Sequence, residues 1–238
     1  MCSGRVDPVL LVESFMAGAD GAMVGACLKG ECHYSIGNLQ AEGKIEVTKR
    51  VLRRIGLDPG RLELRMMSSA QGGKFVEYVS AFQESVAAMG PLGSSEGVGG
   101  SELELRLTAA LNALSGKKLR WVEGKWLELR EKGNLYGEVF TFHELGRMYE
   151  EVAMDECALQ EILLRLNGRP RTVKELASEM RMPAYKTLRH LADLRRMGHV
   201  LLGAPAAGEA VWSAARREPE RHEGGGRASL TERGGPGG

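Results

Sequence analysis

GADGAMVGACLKGECHYSIGN, residues 18–38, is the stretch on which the fold turns. Ala22 to Ala26 is a short apolar run between turn residues and a polar loop, which is how a parallel strand buried on both faces reads. Residues 27–37 form a loop, in which Gly30 can take a positive φ or let the backbone approach a cofactor closely. Asn38 is placed to cap a helix over 38–55 that sets Leu39, Ile45, Leu52 and Ile55 on one face. Upstream, Asp7 as N-cap and Pro8 at the first helical position open a short helix over 7–17, ended by Gly18. Downstream, 61–66 reads as a second strand and SSAQGGK, 68–74, as a loop. A helix over 74–89 then carries Phe75, Val79, Phe82 and Val86 at helical spacing. This order predicts an α/β fold, a small layered parallel sheet with helices.

The chain is long enough, at 238 residues, for one large domain or two small ones. The α/β segment occupies 1–91, and a Gly/Ser-rich linker follows over 92–101. A helical connector spans 102–152, with helical patterns at 102–114, 118–132 and 141–151 broken by EKGNLYGEVF. Residues 153–214 predict a winged helix-turn-helix domain. It comprises a helix over 155–167, then a first helix capped by Thr172 with Val173, Leu176, Ala177 and Met180 inward. A second helix follows with Leu188, Leu191 and Leu194 inward, and then a two-stranded wing. The Arg/Glu/Gly-rich residues 215–238 are expected to be disordered.

A hydrophobic content of 43% and a charged content of 26% are those of an ordinary globular protein, and the formal net charge of +1 argues against a chain that binds nucleic acid throughout. The start MCSGRVDPVLL has neither a long apolar core nor a small-residue cleavage site, and no apolar run is long enough to span a membrane. A cytoplasmic location with no membrane partner is the expectation. Of the four cysteines, Cys2, Cys27 and Cys32 fall within the first 32 residues, which favours metal or redox chemistry over structural disulfides. Cys157 reads as a small buried apolar residue. A C-x₄-C step by itself is a weak metal signal.

The wider wording is more specific. CSGRVDP at 2–8, GADGAMVGAC at 18–27 and GECHYSIGN at 30–38 closely resemble the delta subunit of methyl-viologen-reducing hydrogenase, and the similarity runs on through RIGLDPGRLELRMMSSAQGGKFVEYVSAF to Gly90-Pro91. The segment LRWVEGKWLELREKGNLYGE and the winged-helix region resemble the C-terminal extension of some bacterial members. The resemblance implies an iron–sulfur electron-transfer subunit, itself not catalytic, that carries a 2Fe-2S cluster. It would relay electrons between a hydrogenase, formate dehydrogenase or other dehydrogenase and a heterodisulfide-reductase-like flavoprotein. Cys2, Cys27 and Cys32 match cysteines of the family motif and would be thiolate ligands, the soft charged donors that suit iron. His33 also matches, either as a ligand or through a hydrogen bond that tunes the cluster or fixes the loop. Lys29 and the loop amides would favour the reduced, more negative cluster.

The sequence departs from the family at its start, where members carry about forty further residues with a strand and a cysteine-rich loop. Two strands are too few for a stable open sheet. The expectation is therefore a true start upstream of Met1, with a selenocysteine codon read as a stop as one route to it, and a cluster that this shorter chain need not retain. Cys2 is expected to fray. Two other readings stand beside this one: a non-functional fragment, and a redox-responsive DNA-binding regulator. In the regulator, Lys186, Arg189, His190, Arg195 and Arg196 would meet phosphates. Acidic Glu175, Glu179 and Asp193 dilute that surface, so nucleic acid is not the expected partner. Trp121, Trp126 and Tyr136 are candidates for a partner surface or for ordinary packing. The sequence shows no Walker or HExxH element.

Overall fold

A computed structural model describes residues 2–204 and 209–215, with Phe142 described in its backbone only. After a 3-10 turn over Ser3–Arg5, helix α1 (Pro8–Met16) leads to strand β1 (Ala22–Ala26), helix α2 (Gly37–Arg54), strand β2 (Leu62–Met66) and helix α3 (Gly72–Met89). The two strands pair in parallel from Ala22↔Leu62 to Ala26↔Met66. Asp7 caps α1 as expected, its carboxylate accepting from the Val9 amide at 3.0 Å, with Pro8 in the first turn.

Helices α4 (Gly100–Ser115), α5 (Lys117–Glu131) and α6 (Phe142–Gly168) follow. They share one core with the α/β segment: Phe15, Val51, Leu52 and Leu62 pack in the same cluster as Leu114, Leu119, Trp126 and Tyr149. The stretch 90–99 between them is held against the residues just ahead of the two strands. The fully buried Arg61 guanidinium donates to Glu96 at 2.6 and 3.1 Å and to the carbonyls of Asp20 and Gly90 at 2.9 and 3.0 Å. Val98 is buried there too.

The C-terminal part of α6 builds a second core with β3 (Arg171–Thr172), α7 (Val173–Glu179), α8 (Ala184–Arg196), β4 (Val200–Leu202) and β5 (Val211–Ala214). The strands run antiparallel in the order β3-β5-β4. Thr172 closes a capping box with Glu175, so the helix-turn-helix begins where its sequence signal placed it. A buried ion network joins the two cores. Arg165 reaches Glu161, Glu102 and Glu179, and Arg54 of α2 reaches Glu161 at 3.1 Å.

Several expectations change in the structure. The helices read at 141–151 and 155–167 are one helix of 27 residues, α6. Of the four apolar residues at helical spacing on α3, only Phe82 is buried, and Phe75 is 52% exposed. On α8, Leu188 is exposed while His190 takes the inward position. Spacing along a helix says which residues share a face; it does not say which turns of that face find cover. The wing residues 205–208 and the tail 216–238, expected to be disordered, lie outside the described residues.

Candidate functional site

Two chain segments 30 residues apart meet at the N-terminus of α2. Cys2 and Cys32 lie with their sulfurs 3.8 Å apart. Their approach depends on two glycines packed back to back. A Cβ at Gly4 would stand 2.6 Å from the Gly37 carbonyl oxygen, and one at Gly37 would stand 2.2 Å from Cys2 Sγ and 3.1 Å from Cys32 Sγ. Both glycines lie inside the quoted motif strings, but only the tertiary structure shows that they face each other.

The expected fraying of Cys2 is not what the structure describes. Its sulfur accepts from the Gly4 amide, Lys44 Nζ of α2 donates to the Gly4 and Val6 carbonyls at 2.8 and 3.3 Å, and Arg120 of α5 pairs with Asp7 at 2.7 Å. Asn38, read as a helix cap, does something else. The helix starts one residue earlier, at Gly37. The Asn38 side chain, 1% exposed, donates to the carbonyls of Cys27 and Leu28 at 3.1 and 2.8 Å. It thereby stitches the beginning of the cysteine loop to its end. Gly30 takes a φ of +86°, as its place in the loop predicts.

Burial alone would raise the Cys32 pKa, but the backbone around Tyr34, Asn38 and Gly37 and the Cys2 thiol outweigh it, and the thiol lies below its ordinary value. The same elements would hold negative charge on sulfur whether from a proton lost or a metal bound. Two thiolates on one tetrahedral metal at a metal–sulfur distance of about 2.3 Å stand about 3.8 Å apart, and Cys2 and Cys32 have that separation. The pair therefore fits a thiolate-held metal in donor type and in spacing.

Cys27, at the end of β1, is exposed and shares with Cys2 a cavity of about 440 Å³, walled by Met67, Ser68 and Phe75. This is the carboxyl end of the parallel strands, where open α/β sheets place ligands. His33 is exposed and stacks edge-on with Tyr34, ring centroids 5.1 Å apart. Among the described residues, no three His, Cys, Asp or Glu side chains gather closely enough to hold a metal ion. The structure thus brings together Cys2 and Cys32, sets Cys27 on the same opening, and leaves His33 apart. Lys29 pairs with Glu42, which also pairs with Arg130 of α5. Cys157 is buried in α6, and burial pushes its thiol up to about 12.

The family model described as methyl-viologen-reducing hydrogenase, delta subunit, matches residues 1–90. The vhu iron-sulfur subunit of the F420-non-reducing hydrogenase of Methanopyrus kandleri is 37% identical over 91 residues, 38% of this chain and 69% of that protein. The chain belongs to the methyl-viologen-reducing hydrogenase delta-subunit family. The iron-sulfur subunit of the Archaeoglobus profundus F420-non-reducing hydrogenase is 39% identical over 90 residues, 38% of this chain and 66% of that protein. A family segment also lies within a much larger relative, a component of the ferredoxin/F(420)H(2)-dependent CoB-CoM heterodisulfide reductase of Methanosarcina acetivorans. It is 40% identical over 94 residues, and the match covers 40% of this chain and 12% of that protein.

A second model, bacterial regulatory protein, arsR family, matches residues 160–200, within the winged helix. Its second helix carries fewer free cations than the sequence suggested. Arg189 pairs with Asp155, Arg196 with Asp193, and His190 is 3% exposed and faces Asp155 at 3.6 Å. Of the aromatic candidates, Trp126 is a core residue, whereas Trp121 and Tyr136 are exposed. No helix among the described residues is long and apolar enough to cross a membrane.

Proposed function

We propose that the chain is an electron-transfer subunit whose N-terminal 91 residues hold an iron–sulfur cluster of the 2Fe-2S type. The observation that carries this reading is the Cys2–Cys32 pair at 3.8 Å, set against backbone that favours charge on sulfur. Cys2 and Cys32 supply one pair of thiolates, and Cys27 supplies a third thiolate from the rim of the shared cavity. His33 orients the loop or donates a hydrogen bond to the site, and Lys29 adds positive charge at its edge. The cluster, when bound, accepts and returns one electron at a time, and the protein contributes ligands, burial and docking. The relatives named as hydrogenase iron-sulfur subunits and as part of a CoB-CoM heterodisulfide reductase support a relay between two such enzymes. In this reading the donor is a hydrogenase, formate dehydrogenase or other dehydrogenase, and the acceptor is a heterodisulfide-reductase-like flavoprotein in the cytoplasm. The winged helix at 153–214 serves as a protein-docking module in this assembly.

Iron and acid-labile sulfide are measured after anaerobic reconstitution, with an electron paramagnetic resonance spectrum of the reduced sample. Two irons and two sulfides per chain, lost in Cys27→Ala and Cys32→Ala, are the expected result. A folded chain that takes up no iron would end this reading.

The arsR-family match favours one second reading, a redox-responsive DNA-binding regulator. A gel shift at low salt that weakens with added salt would support it. No shift would leave the winged helix to protein contact.

A further inference from the structure

We propose that Cys2 and Cys32 close into a reversible disulfide in the cluster-free chain. Of the four cysteines, these are the two whose sulfurs are in contact, at 3.8 Å. A disulfide needs the sulfurs at about 2.0 Å, so they must close by less than about 2 Å. Nothing stands between them, because residue 37 has no side chain to fill the gap. Neither cysteine sits in a helix or a paired strand. Cys2 is the extended N-cap of a three-residue turn, at φ −100° and ψ 139°, and Cys32 lies in the loop ahead of α2. Rotation of the two side chains, with small loop adjustment, therefore brings the sulfurs together without breaking regular structure. The other two thiols are placed differently. Cys27 opens to solvent at the end of β1, and Cys157 is closed inside the core of α6.

The oxidant is a low-molecular-weight disulfide. One thiolate of the pair attacks it, forming a mixed disulfide and releasing one thiolate. The second cysteine thiolate attacks the protein-bound sulfur, forming the Cys2–Cys32 bond and releasing the second small thiolate. The protein dithiol loses two electrons and two protons, and the small disulfide gains them as two thiols. Resting on the function proposed above, the bond has a consequence. Its sulfurs are no longer thiolates and cannot hold iron, so cluster loading requires prior reduction of the chain.

The test uses the full-length, iron-free chain. It is incubated anaerobically with glutathione disulfide, alkylated with iodoacetamide, digested without reductant and mapped by mass spectrometry. The expected result is one dominant crosslink joining the Cys2 and Cys32 peptides, removed by dithiothreitol, with Cys27 recovered alkylated. Cys27→Ser retains the crosslink and Cys32→Ser loses it, both with unchanged circular dichroism. A dominant crosslink through Cys27, or stable mixed disulfides with no crosslink, would overturn the proposal. Iron uptake is read on the same samples: it is lost on oxidation and returns with dithiothreitol. Uptake unchanged by a formed crosslink would overturn the gating role. A crosslink in a chain that takes no iron even when reduced would leave the disulfide standing and remove the cluster reading instead.

Discussion

Gly43 of α2 and Trp126 of α5 touch through the missing side chain: a Cβ on residue 43 would stand 2.5 Å from two atoms of the indole ring. Trp126 is fully buried and lies against Tyr149 of α6, ring centroids 4.9 Å apart. This contact joins the family segment to the helices that follow it, and the two share one core. Gly43→Ala should cost about 1–3 kcal/mol through overpacking of a closed core, although alanine is the better helix former. Denaturant unfolding monitored by Trp fluorescence checks it. A gain in stability would mean that α5 slides away freely.

The cysteine pair makes a steric prediction of the same kind. Gly37→Ala puts a methyl within 2.2 Å of Cys2 Sγ. The pair must then separate, and iron uptake in reconstitution should fall sharply while the far-ultraviolet circular dichroism stays that of the wild type. Gly37 has no positive φ, so backbone strain does not enter. Full iron uptake by the variant would show that the two sulfurs do not serve one centre.

Arg61 and Glu96 form the ion pair that fastens residues 90–96 to the turn just ahead of β2. Arg61→Ala leaves the Glu96 carboxylate without its cationic partner and should cost about 3–5 kcal/mol. Burial works to raise the Glu96 pKa, but hydrogen bonds from Arg61, the Asp58 amide and Ser95 prevail and hold it at about 2 against an ordinary 4.5. The folded chain thus keeps this carboxylate ionised where the unfolded chain protonates it. The stabilisation is present above about pH 4.5 and is lost as pH falls towards 2. In Glu96→Gln that part of the acid dependence should vanish, as acid titrations of thermal stability would reveal.

Glu123 behaves in the opposite sense. It is 4% exposed on α5, and burial raises its pKa to about 7 against the lowering fields of Arg120 and Lys44. Between about pH 4.5 and 7 the folded chain holds a proton that the unfolded chain has released, so stability falls as pH rises through that window and is flat above it. Glu123→Gln should therefore be more stable than the wild type at pH 8, by on the order of 1–3 kcal/mol, and equal to it below about pH 4. Melting curves at about pH 4, 6 and 8 test the sign. A variant less stable at the alkaline end would mean that the ionised carboxylate is well paired.

What the sequence determined by itself is local. Asp7-Pro8 and the Thr172–Glu175 box set two helix starts because a side chain caps amides two or three residues away. The apolar run at 22–26 was legible as a strand, and the motif strings named the family and its cysteines. What only the tertiary structure decided is which distant surfaces meet. Nothing in the spacing of Trp121, Trp126 and Tyr136 says that only the middle one is buried, because that depends on α2 presenting a glycine to it. Nothing around Asn38 distinguishes a helix cap from a clamp on the loop before it. Cys2 and Cys32 are 30 residues apart in the chain and 3.8 Å apart in space. Local sequence encodes the conformation and periodicity of each element. The separation of two side chains on different segments is set by how those elements pack, through close contacts such as Gly4 on Gly37 that appear only once the chain has folded.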